Sequence, residues 1–146
     1  ERGSNFTVRF RDAFLAHAQR RGVEARFAMP ERTIPSVRSA MEHVLGPDRD
    51  LTGLVMHGED TIQMRALDIL REEGLTVPGD VSVISAGSTF DTSTFTPPLD
   101  TIPLIPEQSC SRAVELTIAQ ITGEAEPRVE LIPPTYVERG STAPHR

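Results

Sequence analysis

The sequence predicts an α/β domain of three layers, in which helices flank a parallel sheet. Apolar residues follow helical and strand patterns in alternation along the chain, and the segments between them are short. Such alternation is typical of strand–helix–strand units, whose strands lie parallel. The length of 146 residues fits one domain, and a composition of 38% hydrophobic and 25% charged residues is that of a globular protein.

Three apolar stripes at helical spacing, each followed by a glycine, predict the first three helices. The glycines are Gly22, Gly46 and Gly74, and each marks the end of its helix. The stripes consist of Phe6, Phe10, Ala13, Phe14, His17 and Ala18, then Val37, Ala40, Met41, Val44 and Leu45, then Ile62, Ala66, Ile69 and Leu70.

Short apolar or alternating runs between these helices predict the strands. Residues 24–28 alternate and end before Pro30, whereas residues 53–56 and 81–84 are compact apolar runs typical of buried strands. Residues 77–80 form a turn before the last of these strands.

The last 60 residues begin with a long loop. Residues 87–98 show no period and predict an ordered loop of the kind that often carries a site. Strand character returns at residues 101–102 and again at 129–132 and 135–138, the last two separated by two prolines. Between them a fourth helix is predicted, ending at Gly123, with a stripe of Cys110, Ala113, Val114, Thr117, Ile118 and Ile121.

Charge, cysteine content and hydropathy argue against several classes of protein. The net charge of −6 and the pI near 5.2 argue against DNA binding by this segment itself. One cysteine excludes an internal disulfide and favours a reducing compartment, so a cytoplasmic location is expected. No apolar run approaches the roughly 20 residues of a membrane span, and no signal peptide is visible. The start without Met looks like a point inside a longer chain.

The predicted ends of the parallel strands are where a ligand site is expected, because ligands bind beyond the carboxyl ends of such strands. The most polar of these ends carries His57, Glu59 and Asp60. Asp60 is interpreted as a helix cap and Glu59 as the better candidate for a ligand contact. His57 could act as an acid or base or as a structural hydrogen-bonding group.

No known catalytic or metal-binding pattern occurs in the sequence. It lacks a Gly-x-Ser-x-Gly elbow, a phosphate-binding loop and a His-Glu-x-x-His helix. The four histidines, at 17, 43, 57 and 145, share no metal-ligand spacing. We therefore expect neither an enzyme nor a bound cofactor or metal.

Several segments, in order and at fixed spacing, resemble the LacI/GalR family of bacterial transcriptional repressors. They lie between residues 54 and 144 and comprise residues 54–60, 66–67, 74–84, 96–102, 112–116 and 137–144. The resemblance implies a fragment of a protein with an N-terminal helix-turn-helix head and a two-lobed effector domain of the periplasmic-binding-protein type. This chain would be the C-terminal part of that domain, a type I lobe, without the DNA-binding head. Residues 104–131 would cross to the missing N-terminal lobe, leaving the apolar stripe of residues 108–121 without its usual neighbours.

The resemblance also implies ligand contacts at matching positions. An arginine near the start of the first helix usually holds ligand hydroxyls, and Arg11 matches it best, with Arg9 as the neighbouring option. Glu59 stands where the family often has a ligand-binding Asn. The family's carboxylate after the next strand is replaced by Gly87, so we expect an effector that lacks the usual pair of hydroxyls or presents a cationic or amide edge to Glu59.

Two residues near Gly87 could compensate for the missing carboxylate. They are Ser88 and Asp91, both in the following loop, and Asp91 could reach inward to replace it. A sugar effector is therefore weakened as a candidate but remains open.

The resulting hypothesis is an effector-binding domain that couples a small polar molecule, a sugar or sugar-like compound, to operator affinity. The partners expected are this effector, a second subunit in a homodimer, and operator DNA through the absent head, with no membrane. Two alternatives stay open: an exported solute-binding protein of the same fold, and a small α/β enzyme using His57 and Glu59. The family-like end at residues 139–142 favours the repressor.

Overall fold

The computed structural model describes residues 5–87 and 90–144, with side chains from Thr7 onward. The chain forms two compact units, Glu1–Leu51 and Thr52–Arg146. The first contains helices, and the second contains the sheet and two further helices.

The first unit consists of helix α1, Asn5–Arg21, and helix α2, Ile34–Leu45. Both end as predicted, because Gly22 and Gly46 adopt φ angles of 67° and 73°, where a side chain would be strained. At the start of α2, the Thr33 hydroxyl accepts a hydrogen bond from the Ser36 N–H at 3.3 Å. The stripe of α2 is buried as predicted, at Val37, Met41, Val44 and Leu45.

The strand predicted at residues 24–28 is wrong, since the structure assigns no strand there. Hydrogen bonds of the Arg26 side chain hold this segment, in place of the backbone hydrogen bonds of a strand pair. Arg26 donates to Asp50 at 2.7 and 3.0 Å and to Glu24 at 2.9 Å, and it also reaches the Val44 carbonyl at 3.3 Å. Alternation of apolar and polar residues makes a strand only where a neighbouring strand supplies backbone partners.

The second unit contains a three-stranded parallel sheet with strands in chain order. Its elements are β1, Gly53–His57; α3, Asp60–Glu72; β2, Ser82–Ala86; a 3₁₀ turn, Thr92–Thr94; β3, Asp100–Ile102; and α4, Pro106–Ile121. His57 pairs with Ala86, and Ala86 with Ile102, so the carboxyl ends of the three strands lie side by side. The predicted class, a parallel sheet with flanking helices, is confirmed.

The core of this unit forms from the middle strand and one face of α3. Ile69, Leu70, Val81, Val83 and Leu99 are each at most 1% exposed. Ile69 and Leu70 belong to the stripe predicted for α3, and Ala66 of that stripe is also buried. In β2, Val83, Ser85 and Ala86 are buried, whereas Ser82 and Ile84 are half-buried, so the apolar run that predicted β2 lies partly in this core.

The strands predicted at residues 129–132 and 135–138 are wrong. Within the described residues this segment contributes only an isolated antiparallel bridge between Val137 and Thr101, with backbone hydrogen bonds of 2.8 and 2.9 Å. Val129 and Leu131 are almost fully exposed. Proline has no N–H to donate to a ladder, and two prolines in a row interrupt the segment.

Helix α4 forms as predicted, but none of its side chains is buried. Val114, Ile118 and Ile121 of its apolar stripe are 59%, 55% and 80% exposed. Within the described part of the chain, the stripe thus lacks a covering surface. Among the helices of the described residues, none combines the length and apolar character of a membrane span.

Candidate functional site

The carboxyl edge of the parallel sheet carries three of the candidates that the sequence singled out: His57, Glu59 and Gly87. β1 ends at His57 and β2 ends at Ala86, directly opposite each other. The two segments that follow, which begin at Gly58 and Gly87, therefore leave the sheet side by side. Ligands of open parallel sheets bind at this edge.

His57 joins the ends of β1 and β2. Its ring is half-buried, and its Nδ1 lies 2.9 Å from the Ala86 carbonyl oxygen. A carbonyl oxygen only accepts hydrogen bonds, so Nδ1 carries the hydrogen and donates it. This contact assigns His57 the structural hydrogen bond that the sequence left as one of two interpretations.

Glu59 occupies the cap position of α3, where the sequence favoured Asp60. Its backbone is extended, and its side chain makes no capping hydrogen bond. Asp60 is the first residue of the helix, and its Oδ1 accepts the Thr61 N–H at 2.8 Å. Asp60 therefore accepts a backbone N–H in the first turn of α3, and the Glu59 side chain is half-buried beside it.

The turn after β2 is set by Gly87. Its N–H donates to the Ile102 carbonyl of β3 at 2.8 Å, and its φ angle is 70°. An aspartate in this left-handed conformation is strained relative to glycine, which matches the absence of a carboxylate here. Ser88, the next candidate, lies outside the described residues.

Asp91 is exposed and occupied within its own loop. Its Oδ1 accepts the Ser93 N–H at 2.9 Å and caps the short 3₁₀ turn. Hydrogen bonds from the Ser93 side chain and from its N–H lower the pKa of the Asp91 carboxyl. In this structure the Asp91 carboxylate therefore stabilises the conformation of its own loop.

The two candidate arginines lie in the first unit, on α1. Arg9 is exposed, while Arg11 is half-buried and pairs with the neighbouring Asp12 at 2.8 Å. His57, Glu59, Gly87 and Asp91 all lie in the second unit. Within that unit the structure connects His57 to the turn of Gly87 through Ala86.

Sequence reasoning missed Asp100, the first residue of β3, which is fully buried. Its Oδ1 accepts the backbone N–H groups of Arg139, Gly140 and Ser141 at 2.5, 2.7 and 3.2 Å. Its Oδ2 accepts the hydroxyls of Tyr136 and Thr142, both at 2.6 Å. The carboxylate thus ties the C-terminal segment to the sheet, and we call this arrangement the Asp100 knot.

Further hydrogen bonds extend the Asp100 knot. The Ser141 hydroxyl accepts the Asp100 N–H at 2.7 Å and donates to the Val83 carbonyl at 2.5 Å. The Arg139 guanidinium donates to the Thr92 hydroxyl and the Leu99 carbonyl, both at 3.1 Å. The segment of residues 139–142, which the sequence linked to the repressor family, thus has a structural role in holding the chain's end.

Electrostatics in the Asp100 knot favour the ionised carboxylate. Burial acts to raise the pKa of Asp100, but hydrogen bonds from Thr142, Tyr136 and the backbone of Arg139 and Ser141 outweigh it and hold that pKa well below its usual range. The same contact with Asp100 raises the pKa of the Tyr136 phenol.

The Asp100 knot is expected to make the chain acid-sensitive. A carboxylate whose pKa is lower in the folded state stabilises the fold fully above its unfolded pKa of about 3.9, and this contribution is lost as the pH falls towards the folded pKa. Urea unfolding at pH 7, 5, 4 and 3 should show the stability difference between wild type and Asp100→Asn shrinking below about pH 4. A difference that stays constant down to pH 3 would contradict this assignment.

The described ranges, 5–87 and 90–144, hold no group of three or more His, Cys, Asp or Glu side chains arranged to bind a metal ion. The polar groups described at the sheet edge include the His57 imidazole, the Glu59 and Asp60 carboxylates and backbone amides. Such groups suit the recognition of a polar organic molecule by hydrogen bonds.

The sequence profile of the periplasmic binding protein-like domain matches residues 2–142, nearly the whole chain. The chain belongs to this family. Its relatives also confirm the resemblance to LacI-type repressors, since they are transcriptional regulators of that family.

Three relatives show the extent of the similarity. The probable opine utilization operon repressor of Rhizobium rhizogenes is 36% identical over 87 residues, which are 58% of this chain and 44% of that protein. A solved LacI family transcriptional regulator from Bifidobacterium animalis subsp. lactis gives a TM-score of 0.77 at 28% identity, covering 92% of this chain and 50% of that one. The solved complex of the transcriptional regulator CelR with cellobiose gives 0.62 at 27% identity, covering 90% and 40%.

This periplasmic binding protein-like domain thus spans half or less of the length of each of these three relatives. The ligands and regulatory functions of those relatives are properties of proteins that are longer than this chain.

Proposed function

We propose that the chain is the effector-binding part of a DNA-binding transcriptional repressor, in which a small polar molecule changes operator affinity. One observation carries the proposal: in a domain whose relatives are LacI-family regulators, an imidazole, a carboxylate and a glycine turn lie at the carboxyl edge of the parallel sheet, the edge at which such sheets bind ligands. An effector that binds one arrangement of the lobes more tightly shifts the population towards it.

The proposed contacts to the effector are polar side chains and one backbone turn. Glu59 provides a half-buried carboxylate shortly after the end of β1, and Gly87 provides a turn that carries no side chain. The full set follows the family positions: Arg11, Glu59, Gly87, Ser88, Asp91, Arg9 and His57.

The effector proposed is small and polar, a sugar or sugar-like compound with a cationic or amide edge for Glu59. The cellobiose complex of CelR supports a sugar-like ligand. The φ angle of 70° at Gly87 favours glycine over aspartate, which supports an effector without the usual pair of hydroxyls. The opine operon controlled by the Rhizobium relative is consistent with an effector other than a simple hexose.

The exposed stripe of α4 supports the proposal that residues 104–131 belong to a second lobe contributed by a longer chain. Isolated apolar residues are normal on a surface, but three on one helix face, each more than half exposed, point to a missing neighbour. In this proposal the DNA-binding head also lies outside the chain.

The whole protein is proposed to be a cytoplasmic homodimer without enzymatic activity. Its relatives are transcriptional regulators, which favours this function over an exported solute-binding protein or an enzyme using His57 and Glu59. The hydrogen bond from His57 to Ala86 also supports a role in holding the site rather than in proton transfer.

A thermal-shift screen of the full protein tests the proposal. The panel contains hexoses, disaccharides, polyols, nucleosides, and amino sugars or sugar–amino acid conjugates. We expect at least one compound of the last group to raise the melting temperature by several degrees at 1 mM, because binding to the native state alone stabilises it by about 2.7 kcal/mol at a hundredfold excess over Kd. A panel without any stabilising compound would count against effector binding.

A further inference from the structure

The peptide between Ala86 and Gly87 is held from both sides of β2. On one side its carbonyl oxygen accepts the hydrogen bond from His57 Nδ1 at 2.9 Å. On the other side its N–H donates to the Ile102 carbonyl at 2.8 Å. The same peptide plane therefore connects the ends of all three strands.

His57 extends the β1–β2 pairing beyond its last rung. The ladder between these strands ends at the pair His57 and Ala86. The imidazole supplies the donor for the Ala86 carbonyl at that point, and this hydrogen bond fixes the plane of the peptide from which Gly87 turns away at φ 70°.

The segment on the other side of His57 is also anchored. The Gly58 carbonyl accepts a hydrogen bond from the Gln63 amide at 2.9 Å, and Gln63 is only 1% exposed. A buried amide with a fixed partner gives the segment of Gly58 and Glu59 one defined path. His57 therefore stands between two fixed segments that both face the ligand edge.

We infer that His57 is a positioning residue, which holds the turn at Gly87 in register with the segment that presents Glu59. Effector contact is not required for this role, because the ring acts through the Ala86–Gly87 peptide. The inference rests on the proposed function only in calling this edge an effector site.

Two substitutions of His57 by amide residues distinguish a positioning role, which needs the hydrogen bond, from a general packing role. In asparagine the side-chain nitrogen takes the place of imidazole Nδ1, so His57→Asn retains a donor for the Ala86 carbonyl. In glutamine the nitrogen takes the place of Nε2, so His57→Gln keeps a polar side chain of similar size but moves the donor away.

The test is hydrogen exchange of the full protein without ligand, read on peptides that contain the Gly87 amide and, as a control, on peptides from the interior of α3. We expect His57→Gln to exchange at least ten times faster at Gly87 and His57→Asn to stay within threefold of wild type, with α3 unchanged in both.

Three outcomes would overturn the inference: unchanged exchange at Gly87 in His57→Gln, equally fast exchange in both variants, or faster exchange in α3 as well. The last would make His57 a general stabilising residue. Since no ligand is used, a failure here is distinct from a failure of the thermal-shift screen to find an effector.

Discussion

Replacement of Asp100 by alanine is expected to lower the free energy of unfolding by roughly 3 kcal/mol or more. The carboxylate accepts three backbone N–H groups and two hydroxyls, and it is fully buried. Each donor left unsatisfied in a buried place costs about 1–3 kcal/mol, and solvent entering the vacated space offsets part of this sum. Domains are stable by only about 5–15 kcal/mol, so the loss should be large.

Urea unfolding at pH 7 measures this effect. Tyr136→Phe removes one of the five donors and should cost about 1 kcal/mol or somewhat more, since the lost hydrogen bond is to a charged group. Asp91→Ala, at an exposed aspartate of the same unit, serves as the control and should cost less than about 1 kcal/mol. A loss for Asp100→Ala no larger than that of Asp91→Ala would contradict the structural role of the Asp100 knot.

Loss of Glu59 or Arg11 is expected to weaken effector binding at least tenfold. A charge-assisted hydrogen bond is worth roughly 1.5–3 kcal/mol, and each 1.4 kcal/mol changes Kd by a factor of ten. Calorimetry on the full protein should show this for Glu59→Ala and for Arg11→Ala with the compound selected by the thermal-shift screen.

Matched substitutions control for a general loss of charge. Glu124→Ala removes an exposed carboxylate beyond α4, and Arg20→Ala removes an exposed guanidinium from the same helix as Arg11. Both should bind as wild type does. Micromolar binding of a simple hexose that neither Glu59→Ala nor Arg11→Ala changes would refute the proposed effector contacts.

The helices could be predicted from the sequence because their signals are local. A stripe at helical spacing and a glycine with positive φ lie within one segment, as at Gly22 and Gly46. The failed strands, at residues 24–28 and 129–138, show the opposite case. A strand depends on a partner elsewhere in the chain, and local alternation does not tell whether that partner is present.

The candidate site divides in the same way. His57 and Glu59 could be placed at the sheet edge because a parallel strand and the following helix start fix their position. Asp100 could not be recognised, since its partners lie 36 to 42 residues away and a lone aspartate gives no sign of burial. The segment of residues 139–142 was the available signal, but its sequence alone did not reveal which group it binds.

Operator binding by the full protein, with and without effector, tests the regulatory function most directly. The operator is selected by the full protein from random DNA duplexes, and its affinity is measured by fluorescence anisotropy at fixed salt. We expect the compound from the thermal-shift screen to change Kd at least tenfold, while this 146-residue chain alone, with its net charge of −6, does not bind the operator. An effector that binds the protein but leaves operator affinity unchanged within twofold would contradict the proposed function.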